Sequence, residues 1–468
     1  MSLDTVLRVI TDWIYPAVMV LFFFGMTIFF HELGHFLVAK RCGMVIERFS
    51  VGFGPKIFGW VKDGIDYRVA WLPFGGYVAL PQMSPMETIE GKTDAKQEDL
   101  PVASPSSRIQ VALAGPAMNI LLALALATIL WRVGMPTNLA VVGWVDSGSP
   151  EELAGVRPGD RIVEINDQKV KTWGEFMEVV AFSREPTVRV AVQRDGEQKE
   201  FLLETKLNEQ FGVKMLEHLW PRGHPFAERV FSGTPAERAG LLPGDQFISI
   251  GGVPIYSSDQ LRELIGRRVD QPTEVKVRRG EVMQSLTVSP EMSAEEKVGR
   301  IGVQLGDHME IEKPGPTPVE QFEDVLVSMG RMVKGMAHSK ETGVSARSMS
   351  GPLGIVTIWW YAIVSGGLRQ GLHIAVLLNI NLAIINLLPM PILDGGHIVF
   401  ALLEAVRRKP LSARLVHAAS MMFAVLLITF MLYITFFDIQ RLALGFSKAP
   451  TKPKIEEQAP APQPVPQP

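Results

Sequence analysis

Apolar residues along this chain are gathered into long blocks rather than spread evenly. Four blocks are long enough to cross a hydrocarbon core of about 30 Å, which takes about 20 residues as a helix. They run from about Trp13 to His35, Ile109 to Trp131, Gly371 to Leu393 and Ala418 to Phe437, and the last holds no charged side chain. A further apolar piece, Leu353 to Val364, is too short to span and reads either as re-entrant or as packed beside the third block. The pattern predicts a polytopic α-helical membrane protein with four transmembrane helices. No basic segment precedes the first block and no small-residue cleavage site follows it, so it is expected to persist in the mature protein.

Basic residues near the ends of the blocks set the orientation, because they tend to stay cytoplasmic. Lys40 and Arg41 follow the first block, and Arg407, Arg408, Lys409 and Arg414 separate the third from the fourth. Alternation then places both termini and the region from about Val133 to Gln370 on the far side. For a Gram-negative bacterium that means an inner-membrane protein with a large periplasmic region. The net charge of −3 speaks against a nucleic-acid partner. Cys42 is the one cysteine, which excludes an intrachain disulfide and a multi-cysteine metal site.

The large region carries an internal repeat. SGSPEELAGVRPGD at Ser147–Asp160 returns as SGTPAERAGLLPGD at Ser232–Asp245, displaced by 85 positions. Each copy leads into an alternating stretch, Arg161–Asn166 and Gln246–Ile250, and then a helical segment. A bare PGD marks a hairpin turn in any β domain, but the long repeated pattern resembles the PDZ domain in its bacterial, permuted form. There the Ala-Gly pair ends a short helix through a left-handed residue. Two periplasmic PDZ domains of mixed α/β structure are expected, at 138–217 and 221–308, binding an extended chain end by strand addition. Their ligands are not legible.

Around them, Met83–Ser107 is polar and reads as a cytoplasmic loop, and the Pro- and Gln-rich Ala449–Pro468 reads as a disordered tail. Val319–Lys340 places Phe322, Val325, Leu326, Met329, Met332, Val333 and Met336 at helical spacing. Such a helix suits a membrane surface, or packing on the last PDZ domain. The full division is a first transmembrane helix within 1–40, a β-hairpin and loop at 41–107, and a second helix at 108–133. After the PDZ pair come an amphipathic connection at 309–370, a third helix at 371–398, a fourth within 399–447 and the tail at 448–468.

The chemistry is concentrated in Phe30-His31-Glu32-Leu33-Gly34-His35, an HExxH set inside an apolar helix. Residues four apart sit one turn above each other, so His31 and His35 can hold one metal from the same face. Glu32 lies beside that face and can take a proton from metal-bound water. HExxH recurs by chance in soluble helices, and here the alternative is that these groups only bond neighbouring helices. Their cost of insertion favours function. Catalytic zinc usually takes three protein ligands. Asp394, in NLLPMPILDGGH, is the only acidic residue in or at the end of the third block, and His397 is its rival. Pro389 and Pro391 would break the helix at membrane depth, which is tolerated beside a cavity that can admit a peptide. Asn379 and Asn386 share a helical face. Asn386 suits an extended substrate backbone, or simple interhelical bonding.

HELGH, the AGPAMN stretch at Ala114–Asn119, the tandem PDZ pattern and NLLPMPILDGGH, in that order, resemble the site-2 protease family over almost the whole chain. The resemblance implies an intramembrane zinc metalloendopeptidase with one zinc per chain. It implies His31, His35 and Asp394 as ligands and Glu32 as the catalytic base. It also implies a membrane-associated β-hairpin, which Arg48–Val78 resembles, with Gly75 and Gly76 beside the substrate, joined by Asn386 and Pro391. Implied substrates are single-pass proteins, such as anti-sigma factors, already shortened by a site-1-type protease, and remnant signal peptides. Rival readings are a PDZ-bearing scaffold with a non-catalytic metal site, and a metal transporter. The transporter would show ligands at several depths or a repeated membrane half.

Overall fold

The computed structural model describes residues 13–83, 103–208, 212–293, 298–308 and 310–447. The expected tail lies outside the described residues, as does most of the loop expected at Met83–Ser107. Two long helices come first, α1 (Tyr15–Arg41) and α2 (Pro105–Val133). After the repeat region follow α3 (Pro318–Ala337), α4 (Pro352–Asn386), α5 (Asp394–Arg407) and α6 (Ala413–Ser447). Among the described residues four stretches are long and apolar enough to cross a membrane: Tyr15–Arg41, Pro105–Val133, Gly366–Asn386 and Arg414–Leu442. Helices suit that role because hydrocarbon offers no partner for an unpaired backbone group. The starts are built locally. Ser104 Oγ accepts the Ser107 amide ahead of Pro105 in α2, and Thr317 and Glu320 form a capping box on α3.

The short piece Leu353–Val364 packs beside the third span. Gly367 leaves the helical region, with φ 64° and ψ −155°, and α4 folds back on itself there. Trp359 Nε1 donates to the Gly371 carbonyl at 3.0 Å, across twelve residues that a straight helix would hold about 18 Å apart. The last span pins this arm. Buried Asp438 accepts the Gly354 amide at 2.8 Å and an Arg441 N–H at 3.0 Å, and Arg441 also donates to the Met349 carbonyl.

The third helix was expected to run through 398, and it stops at Asn386. Pro389 and Pro391 lack the amide that would continue the ladder, so Leu387–Leu393 turns and Asp394 begins the separate helix α5. Nor does a single helix fill 399–447: α5 ends at Arg407 and α6 starts beyond Pro410. Helix α3 differs from the expectation that it packs on the last small domain. Its Phe322, Val325 and Met329 join the core of α1, α2 and α4. Its Ser328 and Arg331 bond Glu178 in the first small domain, not the last. One helix thus links that domain to the spans.

Strands β1 (Arg48–Lys62) and β2 (Ile65–Ala79) form a long hairpin turned by Asp63 and Gly64, both left-handed. Arg48–Val51 is sandwiched between Asp66–Val69 and Gly76–Ala79, so the Gly76–Ala79 strip forms an edge. Phe49 and Tyr67 seat the base of the hairpin against Phe36 of α1, while Ile57, Phe58, Trp60 and Trp71 stay exposed.

The two repeat copies head two small α/β units with separate cores. In the first, Phe176, Val179 and Val180 of the helix Trp173–Ala181 pack on strands Arg161–Ile165, Thr187–Arg194 and Glu197–Glu204. In the second, Leu261 and Ile265 of Ser258–Gly266 cover Gln246–Ile250 and Thr273–Arg279. Strand Leu219–Pro221 pairs with Val142–Val145, which carries the first unit to the point where the second was expected to begin. Gly155 and Gly240 take positive φ of 101° and 83° after their short helices. The aspartate of each PGD turn is buried and grips an arginine 34 residues on, Asp160 with Arg194 at 2.6 Å and Asp245 with Arg279 at 2.7 Å. Stripping one partner from a buried pair costs about 3 kcal/mol. Asp160→Ala is therefore expected to speed amide exchange along Thr187–Arg194 by that energy, with Thr273–Arg279 unchanged as the internal control.

Candidate metal centre

The site is built where α1 crosses α2. A Cβ at Gly34 would sit 2.2 Å from the Ala114 carbonyl oxygen, and one at Gly115 would sit 2.3 Å from His35 Nε2. Glycine at Gly34 lets the backbones approach this closely, the small-residue packing that serves helices in membranes, and glycine at Gly115 leaves room for the imidazole rings. His31 and His35, one turn apart on α1, project into the space so left. Their rings lie 4.8 Å apart and meet edge to face, with the Nε2 atoms 3.2 Å apart.

Asp394, the first residue of α5, comes to both. Its Oδ2 lies 3.4 Å from His31 Nε2 and its Oδ1 lies 3.4 Å from His35 Nε2. The turn before it is fixed by backbone contact. A Cβ on Gly395 or on Gly396 would lie 2.2 Å from the carbonyl oxygen of Leu388 or Met390. His397, the rival ligand, is one turn further along α5 and outside the converging set, whose ligand atoms all lie within 4.8 Å of one another.

This donor set fits a zinc ion. Two imidazole nitrogens and one carboxylate converge on a point, and Asp394 Oδ2 is buried without a hydrogen-bond partner among the described residues. Both rings are also held from behind. His35 Nδ1 donates to the Val111 carbonyl at 2.8 Å, which leaves Nε2 free as a ligand. His31 Nδ1 lies 3.1 Å from the Asn119 amide, and Asn119 Oδ1 is otherwise unpartnered and buried. Amide rotation puts that oxygen on the Nδ1 proton that a ring binding metal through Nε2 carries.

Glu32 points 100° around α1 from His31, toward the hairpin. It is 7% exposed, and a Cβ on Gly76 would meet its Cγ at 2.9 Å. Gly76 therefore runs against the helix face carrying Glu32. Gly75 holds φ 129° against the Phe53 ring. Asn379 takes the interhelical reading: its amide donates to Thr27 Oγ1 at 2.9 Å and to the Ala375 carbonyl at 2.8 Å. Asn386 is half-buried at the last residue of α4, and Pro391 lies in the turn, its carbonyl accepting from Ser420.

Asn119, Gly115 and the Val111 carbonyl were not singled out from the chemistry of the sequence. Asn119 had the same signal as Asn379, an amide in an apolar span. The other two act through a missing side chain and a backbone atom, which no residue type announces. Asn119→Ala is expected to weaken zinc binding about 10- to 100-fold, as loss of a ligand-orienting partner does, measured by competition with a chromophoric chelator.

Comparison with known proteins identifies the family of the chain. The profile of Peptidase family M50 matches residues 19–430. A Xylella fastidiosa (strain 9a5c) protein described as "Putative zinc metalloprotease" is 32% identical over 432 residues, covering 84% of this chain and 91% of the relative. The Regulator of sigma E protease of Haemophilus influenzae is 26% identical over 442 residues, covering 88% and 96%. The Regulator of sigma-E protease RseP of Salmonella typhimurium is 26% identical over 440 residues, covering 89% and 97%. With the family profile spanning most of its length, this chain belongs to Peptidase family M50 and is a metalloprotease.

Proposed function

We propose that the chain is an intramembrane endopeptidase of the inner membrane, holding one zinc ion through His31, His35 and Asp394. It cuts the transmembrane segments of single-pass proteins, anti-sigma factors among them, after a site-1-type protease has shortened them. The observation that carries this reading is the meeting of two imidazoles and a carboxylate inside membrane-spanning structure. His31 lies ten residues from the end of α1, about 15 Å along its axis. A polar cluster at that depth is costly to insert and is a functional site by default. The basic residues flanking α1 and α6 put the repeat region in the periplasm. There the two repeat units act as PDZ domains that hold back substrates with bulky periplasmic parts.

A substrate helix hides its peptide bonds in its own hydrogen bonds, so it must unwind before hydrolysis. The Gly76–Ala79 edge offers backbone donors and acceptors to an extended strand, and Gly75 and Gly76 remove the side chains that would keep that strand away from Glu32. Asn386 and Pro391, at the break before α5, flank the same strand. Zinc in such a site supplies a water acidified to a pKa of about 7 and polarisation of the scissile carbonyl. Glu32 accepts a proton from the attacking water and delivers it to the departing amide nitrogen, so the carbon gains a hydroxyl and the nitrogen a hydrogen.

Glu32→Gln keeps the size of the side chain and removes the base. Purified variant incubated with a labelled single-pass anti-sigma fragment should cleave at least about 1,000-fold more slowly than wild type while keeping a full complement of zinc by elemental analysis. Wild-type turnover by that variant would remove Glu32 from its role. Wild-type protein that binds zinc and cuts no membrane substrate would favour the scaffold reading.

A further inference from the structure

One stripe of α2 organises the whole centre. Arg108, Gly115 and Asn119 are separated by seven and four residues and therefore share a face, with Val111 beside them. From that stripe Asn119 meets His31, the Val111 carbonyl meets His35, and Gly115 leaves room for both rings. The remaining member, Arg108, reaches α5. Its guanidinium pairs with Glu404, both side chains less than a fifth exposed. Glu404 also accepts the Leu411 amide at 3.1 Å, tying down the chain after α5. Glu404 and Asp394 are ten residues apart on one rigid helix, about 15 Å along its axis. Ala401, fully buried between them, marks the side of α5 that faces the protein, while Leu402, Leu403 and Val406 are exposed.

We propose that Arg108 and Glu404 are a positioning pair for the metal centre. The ion pair registers the helix that carries Asp394 against the helix that orients His31 and His35. Zinc affinity then depends on two side chains that never touch the ion. This rests on the zinc reading above. The physical need is plain: two ligands and the third arrive on helices separated by more than 350 residues of chain. The turn before α5 carries Pro389 and Pro391, and Gly395 and Gly396 open the helix itself, so these residues set the direction of α5 but not its slide along α2. A bidentate-capable arginine paired with a carboxylate at the cytoplasmic ends of both helices sets that slide.

The test is a double-mutant cycle on the full chain in detergent: wild type, Arg108→Ala, Glu404→Ala and both together. Zinc affinity is read by chelator competition, and helical content by circular dichroism. Each single variant is expected to bind zinc about 10- to 100-fold more weakly, within the range for supporting shells of metal sites. The double variant should be no weaker than the worse single. Wild-type affinity in the single variants, or losses that simply multiply in the double, would overturn the pair. If the alanine variants do not fold, Arg108→Lys and Glu404→Gln complete the same cycle with the same criteria. A wild-type chain that binds no zinc would overturn the metal reading itself, a result distinct from intact binding that ignores these substitutions.

Discussion

Two helices cross so tightly at Gly34 that its backbone lies almost on that of Ala114, and the two imidazole rings packed on Gly115 depend on that crossing. In hydrocarbon no water is available to satisfy a polar side chain, so each imidazole needs a protein partner. The close approach brings the Val111 carbonyl and Asn119 amide within reach of His35 and His31. A larger residue at Gly34 would push the helices apart, and one at Gly115 would collide with both rings. The same geometry turns Glu32 away from α2 and toward the hairpin, so one helical turn presents the two proposed ligands on one side and the proposed base on another.

The third proposed ligand comes from a different kind of structure. Asp394 stands at the start of a helix, after a proline-bearing turn at the depth where lipid would punish a free carbonyl. The turn survives because it is covered. Gly395 and Gly396 press on the Leu388 and Met390 carbonyls, and Ser420 of α6 donates to Pro391. Breaking the helix between Asn386 and Asp394 lets α5 leave the line of the third span and lie along α2.

Outside the spans, the two repeat units solve one packing problem twice, each with a helix over a sheet and a buried aspartate that grips an arginine. Helix α3 joins the first unit to the membrane core through opposite faces. Its apolar stripe enters the contact of α1, α2 and α4, and its polar stripe meets Glu178. Movements of that unit and of the spans are therefore mechanically connected.

Much of this was written in local pattern. Apolar block length specifies the spans, the repeated SGxPxExAGxxPGD stretch specifies two like units, and the spacing of His31, Glu32 and His35 specifies a helix face able to hold metal. These are legible because each depends on neighbours within a turn or a hairpin. What the chain order could not reveal is contact at long separation. The reversal at Gly367, the placement of α3 on the first unit, and the contacts of Asn119 and the Val111 carbonyl with the two rings all arise where distant segments touch. A glycine that must be empty and a carbonyl that must be near carry no chemical label of their own, so their meaning is decided by what packs against them.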